Sequence, residues 1–372
     1  MTRYIHQLRP WPGFSWDRQK LTELLASVHL EQGRLLGRME HLGYPLQQEA
    51  EVTTLTEDVV KTSEIEGENL NPVTVRSSVA RHLGVELDGY RTVDRTVEGV
   101  VEMTLDATRR YAAPLTEERL LGWHTSLFPP GQRTLRIAVG RWRDDVSGPM
   151  QMVSGPVGRR RVHFEAPAAK RLPREMDRYL AWYNNGNELD WVIKAALAHL
   201  WFVTIHPFDD GNGRIARAIT DMSLARSEKT PQRFYSMSAQ IRRERAAYYR
   251  ILEQTQRATM DVTDWMQWFL GCLKDAIEAA RGGLAGVVAK KRLWESIESM
   301  GLNERQKSVL HRFMNAFEGK LTSSKWAKLA KCSQDTATRD LQDLVAKGVL
   351  QRNEEGGRST NYSLIDPSQR AH

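Results

Sequence analysis

The segment at 191–205, WVIKAALAHLWFVTI, is apolar almost all the way round when wound as a helix. A helix with one apolar stripe can lie on a surface, whereas one that is apolar on every face has to be surrounded. The chain is therefore expected to wrap other helices around residues 190–205. The flanking sequence supplies them. Leu21, Leu24, Leu25, Val28, Leu35, Leu36 and Met39 recur at helical spacing. Gly43-Tyr44-Pro45 should end that helix, because Gly suits a C-cap and Pro cannot continue a helix. More helices are expected at about 47–66, 73–83, 92–111, 116–127, 173–184, 212–226 and 241–281, with a break at Arg281-Gly282-Gly283 before a linker helix at about 284–299.

Residues 131–167 read differently. Arg136-Ile137-Ala138-Val139, Gln151-Met152-Val153 and Val162-His163-Phe164 are short strand-like runs among glycines, prolines and arginines, which suits a β-hairpin or flap. Arg159-Arg160-Arg161 reads as a solvated hairpin tip. The last 70 residues carry helical patterns near 303–317, near 323–331 and from Ser333 to Lys347. Two short strands follow, at Gly348-Val349-Leu350 and Asn361-Tyr362-Ser363-Leu364, around the turn Glu355-Gly356-Gly357-Arg358. That order of elements is a winged-helix arrangement.

Composition narrows the class. At 372 residues the chain has room for two or three domains and needs no disulfide or structural metal to hold a core. Apolar residues at 41% and charged residues at 27% exclude wholesale disorder. No apolar run reaches the ~18 residues of a membrane span, and the opening MTRYIHQLRPWPGF lacks a signal-peptide core. Cys272 and Cys332 are the two cysteines, and they have no CxxC spacing. This excludes a Cys-rich zinc site and a disulfide framework, and a reducing cytoplasm is the expected location. The net charge is +7, and residues 303–372 hold 12 Lys/Arg against 8 Asp/Glu. That excess allows a nucleic acid or a nucleotide phosphate as partner without requiring one.

The stretch His206-Pro207-Phe208-Asp209-Asp210-Gly211-Asn212-Gly213-Arg214-Ile215-Ala216-Arg217 carries the chemistry. A histidine ends the buried helix, and its near-neutral titration suits a general base. Gly211-Asn212-Gly213 provides permissive backbone whose N–H groups can turn toward an anion at the start of the next helix. Arg214 and Arg217 are three apart on that helix and can reach one polyphosphate. Asp210 is a hard oxygen donor placed where Mg²⁺ would bridge phosphates. Each residue alone has an ordinary explanation: a helix-end histidine, solvated arginines, and Phe208 as an apolar loop anchor. Together within twelve residues they point to transfer chemistry on a nucleotide.

HPFDDGNGRIAR also matches in full the signature HPFx[DE]GNGRxxR, and over about residues 50–280 the chain resembles Fic (filamentation induced by cAMP) proteins. The resemblance implies a mainly α fold: a Fic-type helical core with a β-hairpin flap, joined to a C-terminal winged helix-turn-helix domain. The expected division is 1–90 (N-terminal helical region), 91–282 (catalytic core), 283–302 (linker helix) and 303–372 (winged helix). It further implies an AMP-transferase using ATP and Mg²⁺. His206 would deprotonate a Ser, Thr or Tyr hydroxyl on a target protein, or on the chain itself, for attack on the α-phosphorus. Asp210 would hold the metal, and Gly211, Asn212 and Gly213 the α- and β-phosphate oxygens. Arg214 would meet the β-phosphate and Arg217 the γ-phosphate. Tyr248, with Tyr249 beside it, matches the position where the family lines its adenine pocket. Gln151, Met152, Val153 and Ser154 resemble the flap strand that registers the target peptide by main-chain pairing.

Upstream, Thr62-Ser63-Glu64-Ile65-Glu66-Gly67 fits the family's inhibitory pattern [ST]xxxE[GN]. Thr62 and Glu66 are i, i+4 on one helix face, and Gly67 lets the helix end just after the acid. The resemblance implies that Glu66 pairs with Arg217 where the γ-phosphate would sit, so that the resting enzyme is restrained. The opening RPWPGFSWD also resembles the N-terminal extension of members that carry their own inhibitory helix. Two alternatives stay open. The same site could remove AMP from a protein, with Glu66 orienting a water, or transfer another phosphate-containing group. Alternatively, the chain is a nucleotide-sensing DNA-binding regulator. For the C-terminal unit, DNA or a second copy of the chain are the expected partners, although Asp335, Asp340 and Asp343 offset Arg339 on the recognition-like helix, and only Arg352 and Arg358 in the wing help.

Overall fold

The computed structural model describes residues 4–365 apart from 86–93, 130–136, 147, 156–158, 186–187, 258, 299, 317–319 and 354–359. It contains two compact units, Met1–Arg281 and Gly282–His372. In the first, helices α1 (Arg18–Glu40), α2 (Tyr44–Ile65), α3 (Pro72–Leu83), α4 (Arg95–Arg109) and α5 (Glu117–Leu127) precede the hairpin β1 (Gln151–Ser154) and β2 (Arg161–Glu165). Helices α6 (Leu172–Asn184), α7 (Trp191–Ile205), α8 (Asn212–Glu228), α9 (Met237–Arg243) and α10 (Arg245–Gln256) follow, and α11 (Thr263–Glu298) begins in this unit and ends in the second.

The centre is α7, buried at every position from Val192 to Ile205. Asp190 caps its start, accepting from Val192 N–H at 2.8 Å. Its one charged residue, Lys194, is tolerated because Trp191, Trp182 and Tyr183 enclose the ammonium at 4.5, 5.5 and 5.7 Å from their ring centroids. Burial there pulls the Lys194 pKa down to about 8. α8 lies along α7, with α6 on another side. α11 also ties to α7, through Trp265 Nε1–H donating to the Ala196 carbonyl at 2.9 Å.

Helix α2 packs on α3, α4, α8 and α9. Polar anchors hold it there. Asp58 accepts from Ser236 Oγ at 2.6 Å, and Arg109 donates to Glu51 at 2.7 Å. The break before α2 falls where Gly43 and Pro45 suggest. The two residues open the following helix, however: Gly43 is the N-cap of α2 and Pro45 lies in its first turn.

Three expectations are corrected. Ile137, Ala138 and Val139 form no strand, and Ala138 N–H instead donates to Asp209 at 2.9 Å; Arg136 lies outside the described residues. The helix expected at 241–281 is three helices. Glu244 leaves the helical region at φ −101°, ψ 22°. Near 260 the backbone is taken by the N-terminal segment: Ser15 N–H donates to Met260 O at 2.9 Å, and Val262 N–H to Ser15 O at 2.8 Å. Finally, Arg281-Gly282-Gly283 does not break α11. A glycine costs a helix only about 1 kcal/mol, which neighbouring turns can carry.

In the second unit, α12 (Glu304–Ala316), β3 (Leu321–Thr322), α13 (Ser323–Ala330), α14 (Gln334–Ala346), β4 (Leu350–Asn353) and β5 (Asn361–Leu364) enclose Trp326, Leu341, Leu344 and Leu350. The sheet is antiparallel in the order β3-β5-β4, and the two-residue β3 is an element the sequence pattern had not indicated. The turn Glu355-Gly356-Gly357-Arg358 lies outside the described residues. Two of the acids read as offsetting Arg339 are used internally. Asp340 is buried, accepting from Arg305 at 2.7 and 2.8 Å and from Trp326 Nε1–H at 3.1 Å, while Asp343 accepts from Gln306 and Lys347. Asp335 and Arg339 stay exposed. Both cysteines are free, and among the described residues no helix is long and apolar enough to cross a membrane.

Candidate active site

The site is the sharp turn joining α7 to α8. His206 caps α7 in the left-handed conformation, φ 52°, which is uncommon for any residue but Gly, Asn or Asp. The conformation is held from outside. Arg143, 3% exposed, donates Nε–H to the His206 carbonyl at 2.7 Å and Nη2–H to the Pro167 carbonyl at 2.6 Å, and its own backbone N–H reaches Pro207 O at 2.9 Å. No pattern in the sequence marks Arg143; its role depends on a loop some sixty residues before the turn it grips. Burial lowers the His206 pKa to about 4, with the Val203 carbonyl acting the other way and Arg143 adding to the decrease. The imidazole is thus neutral at physiological pH, the form a base requires.

Phe208 anchors the turn, fully buried and stacked on His124 with ring centroids 4.1 Å apart. His124 is a second residue that sequence reading missed. Asn212 braces the same turn. Its Oδ1 accepts from Phe208 N–H at 3.0 Å and its Nδ2 donates to Phe208 O at 2.8 Å. The Asn212 side chain is therefore engaged in holding the loop, and what it offers an anion is its position at the helix start. Gly211 is the N-cap of α8 with φ 82° and gives no side-chain cap. A Cβ there would also crowd Phe128 at 3.1 Å. The first N–H groups of α8 thus have no side-chain cap and, with the helix dipole behind them, form a start suited to an anion.

Glu66 lies beside this helix start. A Cβ on Gly213 would sit 2.1 Å from Glu66 Oε1, so only glycine lets the carboxylate come this close to the helix start. The pairing expected between Glu66 and Arg217 is made: Arg217 Nη2 donates to Glu66 Oε1 at 2.8 Å. Thr62 completes the contact, its hydroxyl accepting from Arg217 Nε–H at 2.6 Å and its carbonyl from Nη2–H at 2.9 Å. Burial works against the charge on Arg217, yet Glu66 beside it outweighs that and holds the guanidinium above its ordinary pKa. Arg214, 1% exposed, donates Nη1–H to Glu68 at 2.7 Å and lies over the Phe128 ring at 5.1 Å. Asp210 is exposed at the rim, its Oδ1 accepting from Gly211 N–H at 2.6 Å and lying 3.8 Å from Arg214 Nη2.

Tyr248 is buried, close enough to Arg217 and Glu66 for their charges to act on its phenol. It is 3% exposed, packs on Trp268 at 5.5 Å, and its hydroxyl meets His199 Nε2 at 2.9 Å. Burial raises its phenol pKa. Thr220 donates to Ala216 O and so accepts from His199 Nδ1–H, which leaves Nε2 to accept from Tyr248. The exposed aromatic of the pair is Tyr249, at 43%.

The hairpin carries Gln151, Met152, Val153 and Ser154 on β1, paired antiparallel with β2 and interrupted by a bulge between Met152 and Val153. Met152 and Val153 are exposed. The other side of the hairpin is held twice. Arg257 donates to the carbonyls of Val162 and His163 at 2.6 and 2.8 Å, and Glu253 accepts from His163. The N-terminal segment packs on Phe164: Tyr4 edge-on at 5.2 Å and His6 at 5.7 Å, with His6 Nε2 donating to the Glu165 carbonyl at 2.8 Å.

Comparison with known proteins agrees with this geometry. Residues 114–224 match the Fic/DOC family, and residues 4–85 match a domain of unknown function, DUF4172. The chain is 30% identical over 114 residues to "Protein adenylyltransferase Fic" of Drosophila grimshawi, covering 30% of this chain and 22% of that protein. It is 27% identical over 128 residues to a "Uridine 5'-monophosphate transferase" of Xanthomonas campestris pv. campestris, covering 32% of this chain and 22% of that protein. The match therefore spans about a fifth of each relative's own length. A Fic family protein from Desulfovibrio desulfuricans shares the fold, with a TM-score of 0.52 at 22% identity over 95% of this chain and 98% of that one. The chain carries a Fic/DOC-family domain, built on the α7–α8 turn and the helices around it.

Proposed function

We propose that the chain is a protein adenylyltransferase whose nucleotide cradle is closed at rest by Glu66. The observation that carries this reading is the Glu66 carboxylate lying against Gly213 at the start of α8 while paired with Arg217. In the reaction, the target hydroxyl gives its proton to the neutral imidazole of His206. Its oxygen bonds to the α-phosphorus of ATP, the bond from that phosphorus to the bridging oxygen breaks, and pyrophosphate leaves. The α8 N–H groups and Arg214 stabilise charge on the α- and β-phosphates, and Arg217 meets the γ-phosphate once Glu66 lets go. Positioning and charge stabilisation supply most of the rate in such a transfer.

Mg²⁺ fits the donor set: a single exposed carboxylate, Asp210, beside a phosphate cradle, where phosphates and water would complete the shell. When bound it supplies charge neutralisation on the phosphates. The exposed edge of β1 is where a target backbone would pair. The relative named for uridine 5'-monophosphate transfer supports a second reading in which the donor base is not adenine.

The test uses wild type, Glu66→Gly and His206→Ala with Mg²⁺ and ATP labelled at the α- or the γ-phosphate. Attachment of α-label to protein, strongest in Glu66→Gly and lost in His206→Ala, is expected; γ-label should not attach. If α-label attaches in no variant, adenylyl transfer is wrong. Uridine triphosphate is then the next donor to try, and a pre-modified protein tests AMP release.

A further inference from the structure

Helix α2 ends in a Schellman motif. Gly67 sits at φ 89°, its N–H donates to Glu64 O at 3.1 Å, and Glu68 N–H donates to Ser63 O at 3.0 Å. This turn fixes two acids on either side of one glycine, Glu66 as the helix cap and Glu68 two residues on. Acids at a helix C-terminus oppose the helix dipole, so the ending of α2 is unfavourable for both unless something else neutralises them. Each is met by one signature arginine. Glu66 Oε1 is 2.8 Å from Arg217 Nη2, and Glu68 Oε2 is 2.7 Å from Arg214 Nη1. Arg214 and Arg217 stand three apart within the first two turns of α8, and both are almost wholly buried. The spacing of the acids across the turn thus matches the spacing of the arginines along the helix. Arg214 also keeps buried donors at Nε and Nη2 that make no hydrogen bond among the described residues.

We infer that Glu68 is a second carboxylate competing for the nucleotide. It stands on Arg214 as Glu66 stands on Arg217, so that Glu66-Gly67-Glu68 presents a dicarboxylate to both cationic positions a polyphosphate requires. The inference rests on the reading of this cradle as a nucleotide site. ATP entry then has to displace two ion pairs, and removing Glu66 alone leaves the Arg214 position taken. The two acids differ in environment. The Glu68 side chain is 40% exposed and the Glu66 side chain 26%. Competition from Glu68 is accordingly the weaker of the two and the more sensitive to salt.

The experiment measures binding of ATP and of AMP, each with Mg²⁺, to the full chain by calorimetry. The variants are wild type, Glu68→Gln, Glu68→Ala, Glu66→Gly and Glu66→Gly/Glu68→Gln. Glu68→Gln should tighten ATP about three- to fivefold in either background, the size of an exposed ion pair. Its affinity for AMP, which has no β-phosphate to reach Arg214, should be unchanged. The gain should shrink at about 0.5 M salt. The proposal is overturned if both Glu68 variants bind ATP as their parents do while Glu66→Gly binds it more tightly; the nucleotide reading would then survive without Glu68. It is equally overturned if AMP tightens as much as ATP, which would make Glu68 a general electrostatic influence. If no variant binds ATP at all, the nucleotide reading itself falls.

Discussion

At the residue scale, the turn between α7 and α8 depends on a few side chains that satisfy backbone groups no helix or sheet can reach. Asn212 is the clearest case, because one amide answers both the N–H and the carbonyl of buried Phe208. Replacement by Ala strands both groups and should cost about 2–4 kcal/mol, read as a lower unfolding midpoint together with loss of α-label transfer. Unchanged stability would mean that water replaces the amide and the brace is dispensable. Much of this turn was legible in the sequence, since His206, Gly211, Gly213, Arg214 and Arg217 fall in one continuous run. Arg143 and His124 were not, because each joins the site from a distant segment with no motif around it, and Glu68 was passed over because it falls one residue beyond the Thr62–Gly67 pattern. Tyr248 and Tyr249 were named by resemblance alone; packing against His199 and Trp268 buries Tyr248 and leaves Tyr249 exposed, a difference that no local pattern in the sequence carries.

At the element scale, a two-stranded hairpin is marginal alone, so the geometry of β1 must come from what holds β2. Arg257 and Glu253 hold its backbone and His163, while Tyr4 and His6 hold Phe164. The N-terminal segment, which the sequence left without any residue-level role, is thus the support beneath the proposed target strand. Tyr4→Ala should speed amide exchange at 151–154 and 161–165 by about tenfold, equivalent to roughly 1.4 kcal/mol of lost protection, and leave exchange at 206–217 as in wild type. Equal exchange in the hairpin would show that Arg257 and Glu253 suffice. Helix positions were readable from periodicity because a 3.6-residue repeat is local information. The breaks at Glu244 and near 260 were not, since the second is imposed by Ser15, more than 240 residues away in sequence.

At the scale of the whole molecule, burial has placed several histidines in their neutral form. His6, His124, His199 and His206 are all lowered by desolvation, His199 to about 3 and His124 and His206 to about 4. In the unfolded chain each titrates near 6.5. Between pH 6.5 and about 4 the unfolded state therefore binds more protons, and stability present above 6.5 is lost as the pH falls through that window. The loss approaches about 1.4 kcal/mol per pH unit for each histidine. Asp221 and Glu51, both raised by burial, and His29, raised by its hydrogen bond to Asp190, oppose this. The thermal midpoint of the unit containing residues 4–281 should thus fall steadily below pH 6.5, while Lys194, held to about 8 in the folded chain, adds a shallower rise from pH 7 to 8. A midpoint that is flat from 6.5 to 5 would show that these histidines are charged in the native state.

The turn at Glu66-Gly67-Glu68 also bears on how such a chain tolerates copying errors. Any glutamate codon becomes a glycine codon by one base change, so a restraint resting on Glu66 alone is one error from being lost in every molecule a cell makes. If both acids restrain the site as proposed, that single error relaxes the restraint without abolishing it, and full release takes two independent changes within three codons. Protection of this kind costs no added domain or partner, only a second acid on the far side of a glycine that the helix end already required.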